Sequence, residues 1–159
     1  VGAHAPTNAS LFDAILRTPR HRRDERQIRH AADRALESVG MSEWSDRDAV
    51  DLPLGQQRRL QIARALAAEP SVLLLDEPAS GLRHEERVLL AELLEDLRTK
   101  GMTILLIEHD VAMVMRLADR ITVVELGKVI ADGDPEEVRQ DPRVISAYLG
   151  EGYSNADSI

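Results

Sequence analysis

The sequence predicts an α/β chain, with a parallel sheet flanked by helices and an α-helical stretch ahead of it. Three observations predict this. The aliphatic runs Val72 to Leu75 and Thr103 to Ile107 do not alternate with polar residues, so both read as strands covered on both faces. With a third apolar run at Ile121 to Glu125, strands and helical patterns alternate in the order strand, helix, strand, helix, strand. The composition, 43% hydrophobic over 159 residues, is that of one ordinary domain able to bury a core.

The elements follow in order. A helix is expected from Ser10, with Leu11, Phe12, Ile15 and Leu16 on its apolar face and Pro19 interrupting it. A second, about Asp24 to Val39, carries Ile28, Ala31, Ala32, Ala35, Leu36 and Val39 at spacings of three and four, and Gly40 stops it. Residues 41–54 read as loop with one helical turn. Gly55 to Ala68 is rich in strong helix formers and is closed by Pro70. After the strand ending at Asp76, Pro78 to Gly81 is a turn. Glu85 to Lys100 is a helix with Leu90, Leu93, Leu94 and Leu97 on one face and Gly101 past its end. Asp110 caps a helix through Ala118, and Ile121 to Glu125 and Val129 to Ala131 flank a hairpin turn at Leu126-Gly127-Lys128. Short helices follow Pro135 and run from Pro142 to Leu149, and a loose polar tail begins at Glu151.

Composition excludes several classes of function. There is no cysteine, so disulfides, thiolate metal sites and cysteine nucleophiles are absent. No apolar run approaches the roughly 18 residues of a membrane span. A net charge of -8 and 3% aromatics argue against a nucleic-acid binder. The Arg-rich run Arg17, Arg20, Arg22, Arg23, Arg26 and Arg29 is interleaved with Asp24 and Glu25 and reads as a solvated face. The chain opens on Val1 rather than Met and shows no secretory signal, so the natural start is expected elsewhere.

The sharpest chemical signal is Asp76-Glu77. Four aliphatic residues followed by two acids place carboxylates at the C-terminal tip of a parallel strand, where open α/β sheets bind their ligands. In a nucleotide site the first acid would hold Mg²⁺ through water, and the second would orient or deprotonate the attacking water. Upstream stands Leu52-Pro53-Leu54-Gly55-Gln56-Gln57-Arg58-Arg59-Leu60, where a Gly in the first helical turn leaves backbone N–H groups open to a phosphate. Downstream, His109 directly follows a strand, within reach of a terminal phosphate. Singly, each feature reads as ordinary structure: a solvated strand end, a loop-to-helix turn, a surface histidine. Together, in this order, they point to a phosphate site.

In combination these motifs resemble those of the ATPase subunit of ATP-binding-cassette transporters. Leu52 to Leu82 resembles that family's signature loop, Walker B strand and D-loop, and Ile107-Glu108-His109-Asp110 resembles its switch-histidine segment. Gly55 to Leu60, Ile107 to Asp110 and Asp141-Pro142-Arg143-Val144-Ile145-Ser146-Ala147-Tyr148-Leu149-Gly150 are similar to the subunits that energise branched-chain amino acid uptake. The resemblance covers residues 1 to about 150. It implies the C-terminal part of a P-loop NTPase fold, with a helical subdomain and the start of the signature loop in residues 1–54. Residues 55–150 would be the later part of the ATPase core, and residues 151–159 a flexible tail.

The resemblance also implies roles. The nucleotide-facing segment is Leu52, Pro53, Leu54, Gly55 and Gln56, of which Gly55 and Gln56 face the γ-phosphate of ATP held by a second ATPase subunit. Asp76 binds Mg²⁺ through water, Glu77 is the general base, Ser80 and Gly81 bridge the two sites, and His109 senses the γ-phosphate. The implied partners are permease subunits, a second ATPase subunit and, indirectly, a solute-binding protein, with no nucleic acid. The implied location is peripheral, on the cytoplasmic face of the membrane. Two alternatives stand beside this reading: a non-catalytic or regulatory fragment docking on a permease or an intact subunit, and a cassette ATPase of DNA repair or chromosome maintenance. Long coiled coils interrupt the latter, and only a short segment separates Gly40 from Gly55.

Three departures from the family pattern stand out. Pro53 replaces the usual signature Ser. Arg83 stands where Asn or Asp would cap a helix, a loss of about 1 kcal/mol. Nothing matches the phosphate-binding loop G-x-x-x-x-G-K-[ST]. That loop's four or five charge-assisted hydrogen bonds, each worth about 1.5–3 kcal/mol, match a micromolar affinity of about 8 kcal/mol. The chain alone is therefore expected neither to bind nor to hydrolyse ATP appreciably.

Overall fold

A computed structural model describes residues 19–149, and its first element, α1, is Pro19–Ser38. The helix expected from Ser10 and the tail from Glu151 lie outside the described residues. Pro19 opens α1, where the first turn needs no N–H from it. Ala35 and Val39 are buried on the predicted face. Gly40, at φ 67°, ends the helix. Its N–H donates to Glu37 O at 3.0 Å while Met41 N–H reaches back to Leu36 O at 2.8 Å, the Schellman pairing.

The segment read as loop with one helical turn holds two 3₁₀ turns, Ser42–Trp44 and Ala49–Asp51. The Arg47 guanidinium lies 5.9 Å from the centre of the Trp44 ring. Helix α2, Leu54–Leu66, follows, then strand β1, Val72–Asp76, helix α3, His84–Thr99, and strand β2, Thr103–Ile107. β1 and β2 are adjacent in a two-stranded sheet with α3 as the crossover, the parallel arrangement. Leu90, Leu93, Leu94 and Leu97 are all buried, as their spacing predicts. Arg83 provides no side-chain cap for α3. Instead its backbone N–H donates to Glu86 Oε2 at 2.9 Å, so the third residue of the helix supplies half of a capping box.

Full burial of the two strands is not observed. Leu73 is buried at 2%, but Leu74 is 70% exposed and Leu105 and Ile107 are each 58% exposed. Successive strand residues point to opposite faces, and one face is left open among the described residues. The aliphatic run recorded a face suited to burial without fixing what covers it.

The chain divides into two compact units between Leu105 and Leu106. The second contains helix α4, Val111–Leu117, then strands β3, Ile121–Glu125, and β4, Lys128–Gly133. Asp110 caps α4 as expected, its Oδ1 accepting from Met113 N–H at 3.1 Å. The third strand of the expected parallel order is not in the β1–β2 sheet. β3 pairs antiparallel with β4, because the two-residue turn Leu126-Gly127, with φ of 47° and 77°, folds the chain directly back. Helix α5 is Pro135–Gln140, and α6, Pro142–Val144, runs into a π-helical turn, Ile145–Leu149. Ile121, Ala131, Val138 and Val144 form the buried cluster of this unit. Arg120 bridges to Asp132 at 3.1 and 2.7 Å, while Thr122 Oγ1 donates to the same carboxylate at 2.9 Å. The hydrogen bonds from Arg120 and then Thr122 hold Asp132 below the usual carboxylate range. The Arg143 side chain, with its backbone N–H, likewise brings Asp141 down to about 2.

Candidate functional site

The candidate site is built from the start of α2. Pro53 takes the N-cap position with φ -54° and ψ 153° and offers no side-chain cap. The first intrahelical bond runs from Gln57 N–H to Pro53 O at 2.9 Å, so the N–H groups of Leu54, Gly55 and Gln56 come before the helical ladder. No acidic residue lies in the first turn. Such a terminus, positive by its dipole, suits an anion. Leu52 is buried and its carbonyl accepts from Gln57 Nε2 at 2.9 Å, pinning the loop to the helix it precedes. The Gln56 Oε1 atom is sealed from solvent without a hydrogen-bond partner among the described residues.

Asp76 and Glu77 are exposed at the tip of β1. Glu77 has φ 43°, a left-handed conformation that a side chain with a Cβ adopts only at a cost. From there the chain turns tightly: Ser80 N–H donates to Glu77 O and Leu82 N–H to Ala79 O, both at 3.1 Å, and Gly81 is left-handed at φ 78°.

Side chains tie this turn to the start of α2. Arg58 Nη2 donates to Ser80 O at 3.2 Å. A Cβ on Gly81 would lie 3.3 Å from Leu54 Cδ2, and one on Gly55 would lie 3.0 Å from Glu86 Oε1. Leu54, Gly55, Ser80 and Gly81 are thus held together in the first unit. Arg59 works on the other side of the helix, donating to Val39 O and Leu89 O, each at 3.3 Å. Sequence reasoning quoted Arg58 and Arg59 as motif letters and missed both clamps, since an arginine in a helix reads as a solvated cation. Glu86 was legible in principle, standing three residues after the N-cap.

His109 belongs to the second unit, after β2, with its side chain 69% exposed. Glu108 before it is the opposite case: its side chain is 1% exposed. The Glu108 Oε2 atom accepts from His109 N–H at 3.1 Å and lies 3.7 Å from His109 Nδ1. An acid at a strand end reads as solvated, so nothing in the sequence marked this burial.

Among the described residues, no group of three or more His, Cys, Asp or Glu could hold a metal ion. Mg²⁺ characteristically takes one or two carboxylates together with substrate phosphates. The exposed Asp76 fits an ion that arrives with a phosphate, not one caged by protein.

Comparison with known proteins decides between an isolated phosphate site and a family. The family described as ABC transporter matches residues 5–80, and that described as branched-chain amino acid ATP-binding cassette transporter matches residues 128–154. The chain is 46% identical over 152 residues to the high-affinity branched-chain amino acid transport ATP-binding protein LivG of Salmonella typhimurium, covering 95% of this chain and 60% of LivG. The chain belongs to the ABC transporter ATP-binding family. It is 44% identical to BraF of Pseudomonas aeruginosa, of the same description, again over 95% of this chain and 60% of BraF. Among solved cassettes, the ADP conformation of MJ1267, an ATP-binding cassette of an ABC transporter, superposes with a TM-score of 0.71. It is 32% identical, and the match covers 79% of this chain and 51% of that one. The chain therefore spans about 60% of the length of the curated relatives it matches. As in other ABC cassettes the fold is α/β. Among the described residues no helix is long and apolar enough to cross a membrane.

Proposed function

We propose that this chain is part of an ATP-binding subunit that couples ATP binding and hydrolysis to the uptake of branched-chain amino acids. The observation that carries the reading is the uncapped N-terminus of α2, bearing Gly55 and Gln56, fastened to the turn that follows Asp76 and Glu77. Its N–H groups face the γ-phosphate of an ATP held by a second ATPase subunit, with Leu52, Pro53 and Leu54 shaping the approach. The Asp76 carboxylate would hold Mg²⁺, and the ion would supply neutralisation of phosphate charge. Glu77 orients the attacking water and accepts its proton on the carboxylate, Ser80 and Gly81 lie between the two sites, and His109 senses the γ-phosphate. Residues 1–54 serve as the helical subdomain that meets the permease and residues 55–150 as the later part of the ATPase core, at the cytoplasmic face of the membrane. A solute-binding protein is an indirect partner.

A second reading of these 159 residues rests on the same uncapped α2 terminus: a module that lends its signature segment to a nucleotide held by an intact subunit. One experiment tests both. Titration calorimetry of the chain alone with Mg-ATP shows no micromolar binding. Light scattering of the chain mixed with an intact LivG, in which Gln replaces the Glu matching Glu77, shows association only with ATP. Micromolar binding by the chain alone, or association indifferent to nucleotide, would overturn the assignment.

A further inference from the structure

We propose that Arg58 is a positioning residue that makes the signature segment and the 77–81 turn move as one body, so that a shift at either is delivered to the other. The inference deepens the function proposed above and rests on it for its meaning. It stands on two contacts that join the segments, Arg58 with Ser80 and Leu54 with Gly81. The Arg58 guanidinium donates through Nη2 to Ser80 O at 3.2 Å and through Nη1 to Gln61 Oε1 at 3.3 Å. Its Nε is sealed from solvent without a hydrogen-bond partner among the described residues. Leu54 lies against Gly81, where a Cβ would make a tight contact of 3.3 Å with Leu54 Cδ2. Glu86, whose carboxylate accepts the Arg83 N–H, lies against Gly55.

These contacts divide the labour. Leu54 resists approach of the two segments by its contact with Gly81, and Arg58 resists their separation, because a lengthened Arg58–Ser80 bond leaves a half-buried cation with still fewer acceptors. A phosphate that draws Gly55 and Gln56 toward itself therefore pulls Ser80 with them. In the proposed dimer, Gly55 serves one nucleotide and Ser80 lies toward the other, so Arg58 links the two sites through the backbone of one chain. By linkage the effect is reciprocal.

The test uses hydrogen exchange on the chain itself. Arg58→Ala accelerates exchange of the Ser80 and Leu82 amides, and of the Gln57 amide across the contact, at least tenfold, while the β3–β4 amides keep their rates. Gly81→Ala, made on the turn, accelerates the Gln57 amide too. Arg58→Lys, which retains a donor, recovers most of the protection. Acceleration confined to one segment, or none, overturns the proposal. A second measurement separates a positioning role from a merely structural one. In ATP-dependent association with the LivG variant, Arg58→Ala weakens binding about tenfold with an unchanged melting temperature, and Arg58→Lys restores it. Unaltered association of Arg58→Ala overturns the link to nucleotide. Failure of the unmutated chain to associate overturns the proposed function, and the exchange rates still decide whether the two segments move together.

Discussion

Gly55 and Glu77 show how a residue can be chosen against its own conformational preference. Glycine in a first helical turn is worth less than alanine, and a Cβ on Gly55 would meet only the end of the flexible Glu86 side chain, at 3.0 Å. Gly55→Ala should therefore leave the melting temperature almost unchanged, with a stability change within about 1 kcal/mol, and yet abolish ATP-dependent association with the LivG variant. A large loss of stability would assign the glycine to folding instead. Glu77 presents the converse. Its φ of 43° is left-handed, so Glu77→Gly should stabilise the chain by about 1 kcal/mol while removing the proposed base. In thermal unfolding the midpoint would rise about 2–4 °C. A fall would mean that the Glu77 side chain makes contacts that outweigh its backbone strain.

At the scale of elements, local signals were the legible ones. The four leucines of α3, the Asp110 cap and the glycine stops at Gly40 and Gly101 each depend on neighbours within one or two turns, and each is found as its spacing predicts. What was not legible depends on distant chain. The open face of β1 and β2 is set by what other elements cover, and the Arg58 and Arg59 clamps join residues twenty or more positions apart. The same contrast fixes the site: Asp76, Glu77 and Gly55 announce themselves as a motif, whereas the burial of Glu108 is visible only after folding. The C-terminal helices also give an acid dependence. Asp141 titrates near 2 because Arg143 hydrogen-bonds its ionised form, and a folded-state value below the unfolded one stabilises the unit above the unfolded value of about 3.9. That contribution is lost as pH falls from about 4 to about 2. Following the Ser146 and Tyr148 amide resonances through this range should show the C-terminal turn loosening, and Asp141→Asn should flatten the response. An unchanged response in that variant would place the acid sensitivity elsewhere.

For the whole molecule, the consequential feature is the aliphatic face carried by β1 and β2, with Val72 45%, Leu74 70% and Leu105 58% exposed. Hydrophobic side chains in such a row on a sheet invite association. The chain should elute from size-exclusion chromatography as concentration-dependent oligomers, and Leu74→Lys should shift it toward monomer without lowering its melting temperature. A clean monomer of the unmutated chain at high concentration would count against an adhesive face. The single tryptophan of the sequence, Trp44, sits in the unit that ends at Leu105. Its emission is therefore an optical label on one unit alone, whereas far-ultraviolet circular dichroism sums the helices of both. Superimposed melting curves from the two signals would mark a single cooperative transition. Offset curves would give each unit its own midpoint, and the protein carries the dye for that comparison already.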